Sequence, residues 1–298
     1  MTDHIDTNGR VLVGYDGTSA AHHAVLWAAE EAVHRQQPLV VLMAHDILPT
    51  GTVRSGAAAA ASVAVPTIQE ADRARLDALE VELGGSCLDL DMSTEYVVGP
   101  AAPHLLARTA EPGLVVLGGR SRGLLGTSIL GGVADAVVTG ARGPVAIVPE
   151  CDAAGDTVVV GIDDDGASAA ALRYAYAEAQ ATGTSLELLH CVDLHPEVPT
   201  TNALAVAPPA GQDVVGVARE DLHGVVATVR RWGDVEVTGR VELAPSHRAL
   251  VAASGVARLV VVGTRGRGNL AGLVLGSTSR QLVRSARGPV VVVPPVEE

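Results

Sequence analysis

Residues 114–149 and 259–294 are one segment written twice. LVVLGGRSRGLLGTSILGGVADAVVTGARGPVAIVP and LVVVGTRGRGNLAGLVLGSTSRQLVRSARGPVVVVP align without a gap, and half of the 36 positions are identical. Such a duplication obliges the chain to fold as two copies of one unit. Each copy starts as an apolar run of strand length and enters a loop rich in glycine and arginine. It continues as a short helical segment and ends in a second Val-rich run stopped by proline. A strand feeding a glycine loop and then a helix start presents backbone N–H groups to a phosphate.

The 298 residues divide naturally into units of about 150. We place them at 1–150 and 156–298, joined by a linker over 150–156. The first unit reads as strands at 10–16, 39–44 and 94–98 before the repeated segment. Helices are expected from Thr18 or Ser19 to about Gln36, from Ile68 to about Leu83 and from Pro103 to Ala110. Thr50 to Pro66, low in complexity, is expected to be a loop. The second unit restarts with TVVVGID over 157–163. Its helices are expected at about 167–181, 215–231 and 248–254, its strands over LELLHCVD and 235–243, and a Pro/Ala-rich loop over 200–212. With no Phe and only 2% aromatic residues, the cores must be built from Val, Leu, Ile and Ala. Continuous Val-rich strands alternating with helices predict an α/β chain of two tandem, doubly wound, parallel five-stranded sheets.

A formal charge of −13 argues against nucleic acid or an anionic membrane as partner. The repeated segments differ from the rest: they hold eight arginines and one carboxylate, Asp135. Positive charge gathered on glycine loops within an acidic chain suits a small anion. All 21 basic residues are Arg. Without lysine, P-loop NTPase, protein kinase, Schiff-base and pyridoxal phosphate chemistry are excluded. Three cysteines without CxxC spacing predict a reducing compartment. The polar N-terminus shows no signal peptide, and no apolar run is long enough to span a bilayer, so a cytoplasmic location without membrane insertion is expected. His22, His23, His34 and His45 read as structural or exposed, His190 as a hydrogen-bonded core histidine, and no triad stands out.

In such sheets a ligand lies beyond the carboxyl ends of the strands, where strand order reverses. The first strand of each half ends in GYDGTS or GIDDDG, so the dinucleotide fingerprint G-x-G-x-x-G is missing from its usual place. The glycines follow the fourth strand instead: Gly263, Gly266 and Gly276, then Ser277. This pattern, together with V-G-x-D in the first strand and GPVxxVP in the last, resembles the ATP-binding branch of the universal stress protein family, in its tandem actinobacterial form. The resemblance spans both halves and implies the Rossmann-like universal stress protein fold.

It implies further that Asp163 lies near a ribose and Cys191 near adenine. Gly263, Gly266, Gly276 and Ser277 would line the phosphates, with Arg265 and Ser279 nearby. In the first half the corresponding positions are Asp16, Ala44, Gly118, Arg120 and Gly131. Ser121 and Gly132 depart from the pattern there, as do Asp164 and Asp165 in the second half, where the first has Gly17 and Thr18. Unequal sites are therefore expected, the second being favoured. The implied ligand is an adenine nucleotide, ATP with Mg²⁺. The implied role is that of a regulator or stress-survival factor acting through protein partners. A slow Mg²⁺-dependent ATPase and an interaction module with degenerate sites stay open beside it. The family also pairs terminal strands between domains, which implies contact of the two halves through Val145–Val148 and Val290–Val293; a further chain-to-chain homodimer stays open.

Overall fold

Val and Ile lose little on entering a pleated strand and pack well there, and the valine runs do become strands. A computed structural model describes residues 9–46, 57–86, 90–119, 130–150, 155–163, 168–193, 213–264 and 275–295, with backbone alone for 57–68 and 86. The chain separates into two compact units, one within residues 6–150 and one within residues 151–298.

The first unit contains β1 (Arg10–Gly14), α1 (Ser19–Arg35), β2 (Leu39–His45), α2 (Ala57–Ser86), β3 (Met92–Val98), α3 (Ala101–Arg108), β4 (Gly113–Gly118), α4 (Gly132–Gly140) and β5 (Val145–Val148). Its strands run in the order β3-β2-β1-β4-β5, all neighbours parallel. Register is tight: Val13 of β1 sits between Val41 of β2 and Val116 of β4. All three are fully buried, as parallel strands covered on both faces must be. The chain builds outward from β1 through β2 to β3, then crosses back to β4. The order thus reverses between β1 and β4, and their carboxyl ends open a crevice.

The second unit repeats the plan with β6 (Thr157–Ile162), α5 (Ala169–Thr182), β7 (Ser185–Cys191), α6 (Val214–Val229), a 3₁₀ turn (Arg230–Trp232), β8 (Val237–Glu242), α7 (Ser246–Ala253), β9 (Leu259–Gly263), α8 (Ser277–Ser285) and β10 (Val290–Val293). The order β10-β9-β6-β7-β8 is again parallel throughout. Its reversal falls between β6 and β9.

Local chemistry explains the boundaries. Thr18 caps α1, its hydroxyl accepting from the Ala21 N–H at 3.2 Å. Gln36 closes the helix in the left-handed region, and Gly183 does the same after α5. One expectation fails. Residues 57–66, read from composition as loop, form the first turns of α2. The Ala run there is the strongest helix-forming sequence available, and Pro66 is accommodated within the helix. The part of that expected loop before Ala57, and the Pro/Ala-rich stretch 200–212, lie outside the described residues. Among the described residues no helix is long and apolar enough to cross a membrane.

Candidate functional site

In the first unit the crevice between β1 and β4 holds a cavity of about 360 Å³, within the range of small-molecule sites. Of the positions singled out in this half, Asp16, Ala44, Gly118 and Gly131 all line it; Arg120 lies outside the described residues. Ala44 comes from the end of β2 and Gly118 from the end of β4. Gly131 is the cap position of α4, and Gly132, Val133 and Ala134 of the first turn also face the cavity. The first N–H groups of a helix have no acceptor within it, and no side chain caps α4. Among the described residues the wall therefore presents free backbone donors with the positive end of the helix dipole behind them.

Asp16 supplies the opposite chemistry. Its Oδ1 accepts from the Thr18 N–H at 3.0 Å and the Thr18 hydroxyl at 2.6 Å. Gly17 between them has φ +80°, a conformation suited to glycine. One carboxylate oxygen thus braces the turn that starts α1. The carboxylate is exposed and borders the cavity. Among the described lining residues Asp16 alone carries a formal charge. Tyr15 lines the same wall. Burial, foremost, pushes its phenol above the ordinary tyrosine range, with opposition from the Arg75 guanidinium.

The glycines here have two different causes. A Cβ at Gly119 would fall 2.8 Å from the Cα of Pro149, and one at Gly118 would fall 2.9 Å from the backbone of Ala20. Packing alone demands glycine at both. At Gly131 and Gly132 a Cβ would meet no described residue within 4 Å, and Gly131 has φ −59°, open to any residue. Among the described residues neither packing nor backbone conformation asks for glycine at these two positions. Their bareness instead leaves the α4 donors accessible.

In the second unit α8 begins in the same way, with Gly276 at the cap position and no side-chain cap. Ser277 is the first helical residue. The Gly276 N–H donates to the Thr264 carbonyl at 2.7 Å. The Ser279 hydroxyl, only 5% exposed, donates to the Gly263 carbonyl at 2.7 Å. That proton ties α8 to the end of β9 and is not available to an anion. Asp163 follows β6, its N–H directed to the Ser168 hydroxyl at 3.4 Å. Arg265, Gly266, Asp164 and Asp165 lie outside the described residues.

Cys191 ends β7 opposite Glu242 of β8. Burial pushes its thiol up to about 11, aided by the Glu242 carboxylate and opposed by a hydrogen bond to Ser246 and by Arg240. Burial and the neighbouring carboxylate both favour the protonated thiol. Arg240 bridges the strands, its Nη2 2.9 Å from Glu187 Oε1 while Nη1 pairs with Glu242.

The histidines find carboxylates that are remote in sequence. His22 Nε2 lies 3.2 Å from Glu82, and His45 Nδ1 lies 3.3 Å from Asp72. His190 is buried. Among the described residues no group of three or more His, Cys, Asp or Glu is placed to share a metal ion. Tyr15, Gly119 and the Asp72–Arg75 pair were not singled out from the sequence. Only Gly119 left a signal there, as the position in the repeat where Thr264 replaces a glycine.

A model of the universal stress protein family matches residues 7–149 and again 155–294. The chain belongs to the universal stress protein family. A universal stress protein of Mycolicibacterium smegmatis is 33% identical over 299 residues, covering 96% of this chain and 97% of that one. One from Mycobacterium tuberculosis is 30% identical over 299 residues, with 95% and 96% covered. In fold, a crystal structure of a universal stress protein from Archaeoglobus fulgidus matches at TM-score 0.73 and 18% identity, covering 96% of this chain and 98% of that one. This universal stress protein thus carries two copies of the family's domain, and its cavity sits where the strand order of the first copy reverses.

Proposed function

We propose that this universal stress protein binds an adenine nucleotide, ATP with Mg²⁺, and acts as a nucleotide-dependent regulator in stress survival through protein partners. One observation carries the reading. Asp16, Ala44, Gly118 and Gly131, far apart in the chain, border one cavity with an uncapped helix start on one wall and a carboxylate on another. Unsatisfied backbone donors suit phosphate oxygens. A carboxylate acceptor suits ribose hydroxyls. The small side chain of Ala44 leaves room for a flat ring.

The second unit offers Ser277 and the Arg280 guanidinium in the first turn of α8, where the first has Gly132 and Asp135. Both differences favour phosphate in the second unit. Mg²⁺ would be held mainly by the nucleotide's phosphates and water, with at most one carboxylate from the first unit. Turnover is not part of this reading. Asp16 already accepts two hydrogen bonds, and the Tyr15 phenol is held protonated, so the described wall contains no poised general base.

The test starts with freshly purified protein. It is denatured, and released nucleotide is identified and counted by chromatography; calorimetric titration with ATP and Mg²⁺ then follows. Bound ATP, or tight binding of added ATP, is the expected result. Neither bound nor added nucleotide would overturn the reading, and ADP accumulating from added ATP would favour a slow ATPase.

A further inference from the structure

Helix α2 carries a cation against the Asp16 turn. The Arg75 side chain is about half exposed, and its Nη1 lies 2.8 Å from Asp72 Oδ1. Asp72 is only 7% exposed, and its other oxygen lies 3.3 Å from His45 Nδ1. His45 is the last residue of β2 and follows Ala44 on the cavity wall. The guanidinium is therefore held by a nearly buried carboxylate that is itself held from the sheet.

This guanidinium rests on Gly17. A Cβ at Gly17 would come within 3.5 Å of Arg75 Cδ and 3.7 Å of Nε and Nη1. Gly17 stands between Asp16 and Thr18, both of which line the cavity. The Tyr15 phenol on the same wall also feels the Arg75 charge. Among the described residues Nη2 makes no hydrogen bond, so donors remain on the exposed side of the group.

The charge balance gives this arrangement a purpose. A phosphorylated ligand brings negative charge into a cavity where, among the described lining residues, Asp16 is the one that is charged. Unless a cation stands nearby, Asp16 repels it. An arginine anchored in advance loses little further entropy when it pairs with phosphate. We propose that Arg75 selects phosphate-bearing ligands for the first unit's cavity, and that Asp72 and His45 are positioning residues that hold it there. This rests on reading the cavity as a nucleotide site.

The test uses the full chain with Gly276→Asp, which blocks the phosphate position of the second unit. ATP, AMP and adenosine are titrated by calorimetry into this chain and into the same chain with Arg75→Met, Arg75→Lys or Asp72→Asn. The expected result is that Arg75→Met weakens ATP and AMP by about tenfold, the lower range for a half-exposed charged hydrogen bond. Adenosine should bind unchanged, which also reports that the cavity is intact. Arg75→Lys should recover part of the loss, and Asp72→Asn should reproduce part of it. Added salt should weaken ATP less in Arg75→Met than in its parent. ATP bound equally well without Arg75 would overturn this proposal and leave the nucleotide site standing. An equal loss for adenosine would assign Arg75 a structural role and overturn the proposal as well. No binding of any of the three ligands to the parent chain would overturn both readings.

Discussion

The two units solve one geometric problem, fastening a helix start to the end of a strand, with different side chains. In the second, Ser279 sends its hydroxyl to the Gly263 carbonyl, and the main-chain carbonyl of Thr264 accepts from the Gly276 N–H. In the first, the matching residues are Ala134 and Gly119. Gly119 lies so close to β5 that its N–H reaches the Val148 carbonyl at 2.6 Å, while Thr264 reaches that of Val293 at 3.1 Å. The wider spacing admits a side chain and the narrower one does not. Duplicated sequences can thus keep one backbone plan while one copy adds a single hydroxyl brace, from Ser279, and the other relies on close packing. The bare copy leaves an open cavity of small residues.

Exchanging the two solutions should give the largest effect. Gly119→Thr places a Cβ 2.8 Å from the Cα of Pro149, so main chain must move. We expect a loss of about 2–4 kcal/mol, in the upper range for overpacking against backbone, read by thermal or urea denaturation. The reverse change, Thr264→Gly, meets no obstacle and should cost about 1 kcal/mol through added freedom of the unfolded chain. Equal costs for the two changes would break the comparison.

Glycines next, where binding and stability should part. Gly131→Asp puts a favoured capping residue at the start of α4 into space where no described residue intrudes. Stability should stay level or rise by a few tenths of a kcal/mol, as when a good cap replaces glycine. Nucleotide affinity should nevertheless fall by about tenfold or more, because the new carboxylate takes the donors and repels phosphate. Gly276→Asp should do the same in the second unit. A clear drop in melting temperature, with binding intact, would show that these glycines serve the fold.

Much of this was legible in the sequence because it was written twice. Val runs and turn glycines located all ten strands, and the repeat fixed which loops correspond. The start of α2 was not legible, since the Ala run around residue 60 looks like low complexity unless its helix propensity is weighed against Pro66. The positions expected at the first site do gather, but the reason for each glycine was hidden. Gly119 answers to Pro149, while Gly131 answers to nothing described, and only distances separate the two. The link from His45 through Asp72 to Arg75 was equally hidden, because α2 returns to the end of β2 only in the folded chain.

Removing the hydroxyl brace tests the second unit by itself. Ser279→Ala deletes a buried hydrogen bond of 2.7 Å and leaves the Gly263 carbonyl without that donor. The expected cost is about 1 kcal/mol, that of an ordinary neutral bond with partial relaxation. Ala134→Ser, the same exchange made in the first unit, should change stability by less, since the first unit already packs closely without it. An unchanged melting temperature for Ser279→Ala would mean that α8 is held by the Gly276–Thr264 bond alone.

The smallest effect concerns the edge where Ala44 faces Val97 in the first unit and Cys191 faces Glu242 in the second. Burial and the Glu242 carboxylate both oppose thiolate, so Cys191 keeps its proton until about pH 11. The sign follows directly: alkylation by iodoacetamide should be slow at pH 8 and climb through pH 10 without levelling near 9. Relative to an ordinary thiol, the thiolate fraction at pH 8 falls by about a hundredfold, partly offset by greater nucleophilicity, leaving a rate about tenfold lower. The measurement needs Cys87 and Cys151 replaced by serine. Glu242→Gln should raise the rate while leaving the burial contribution in place. A plateau near pH 9 would mean that the thiol stands in water, and the contrast between an apolar edge and a polar, buried one would lose its basis.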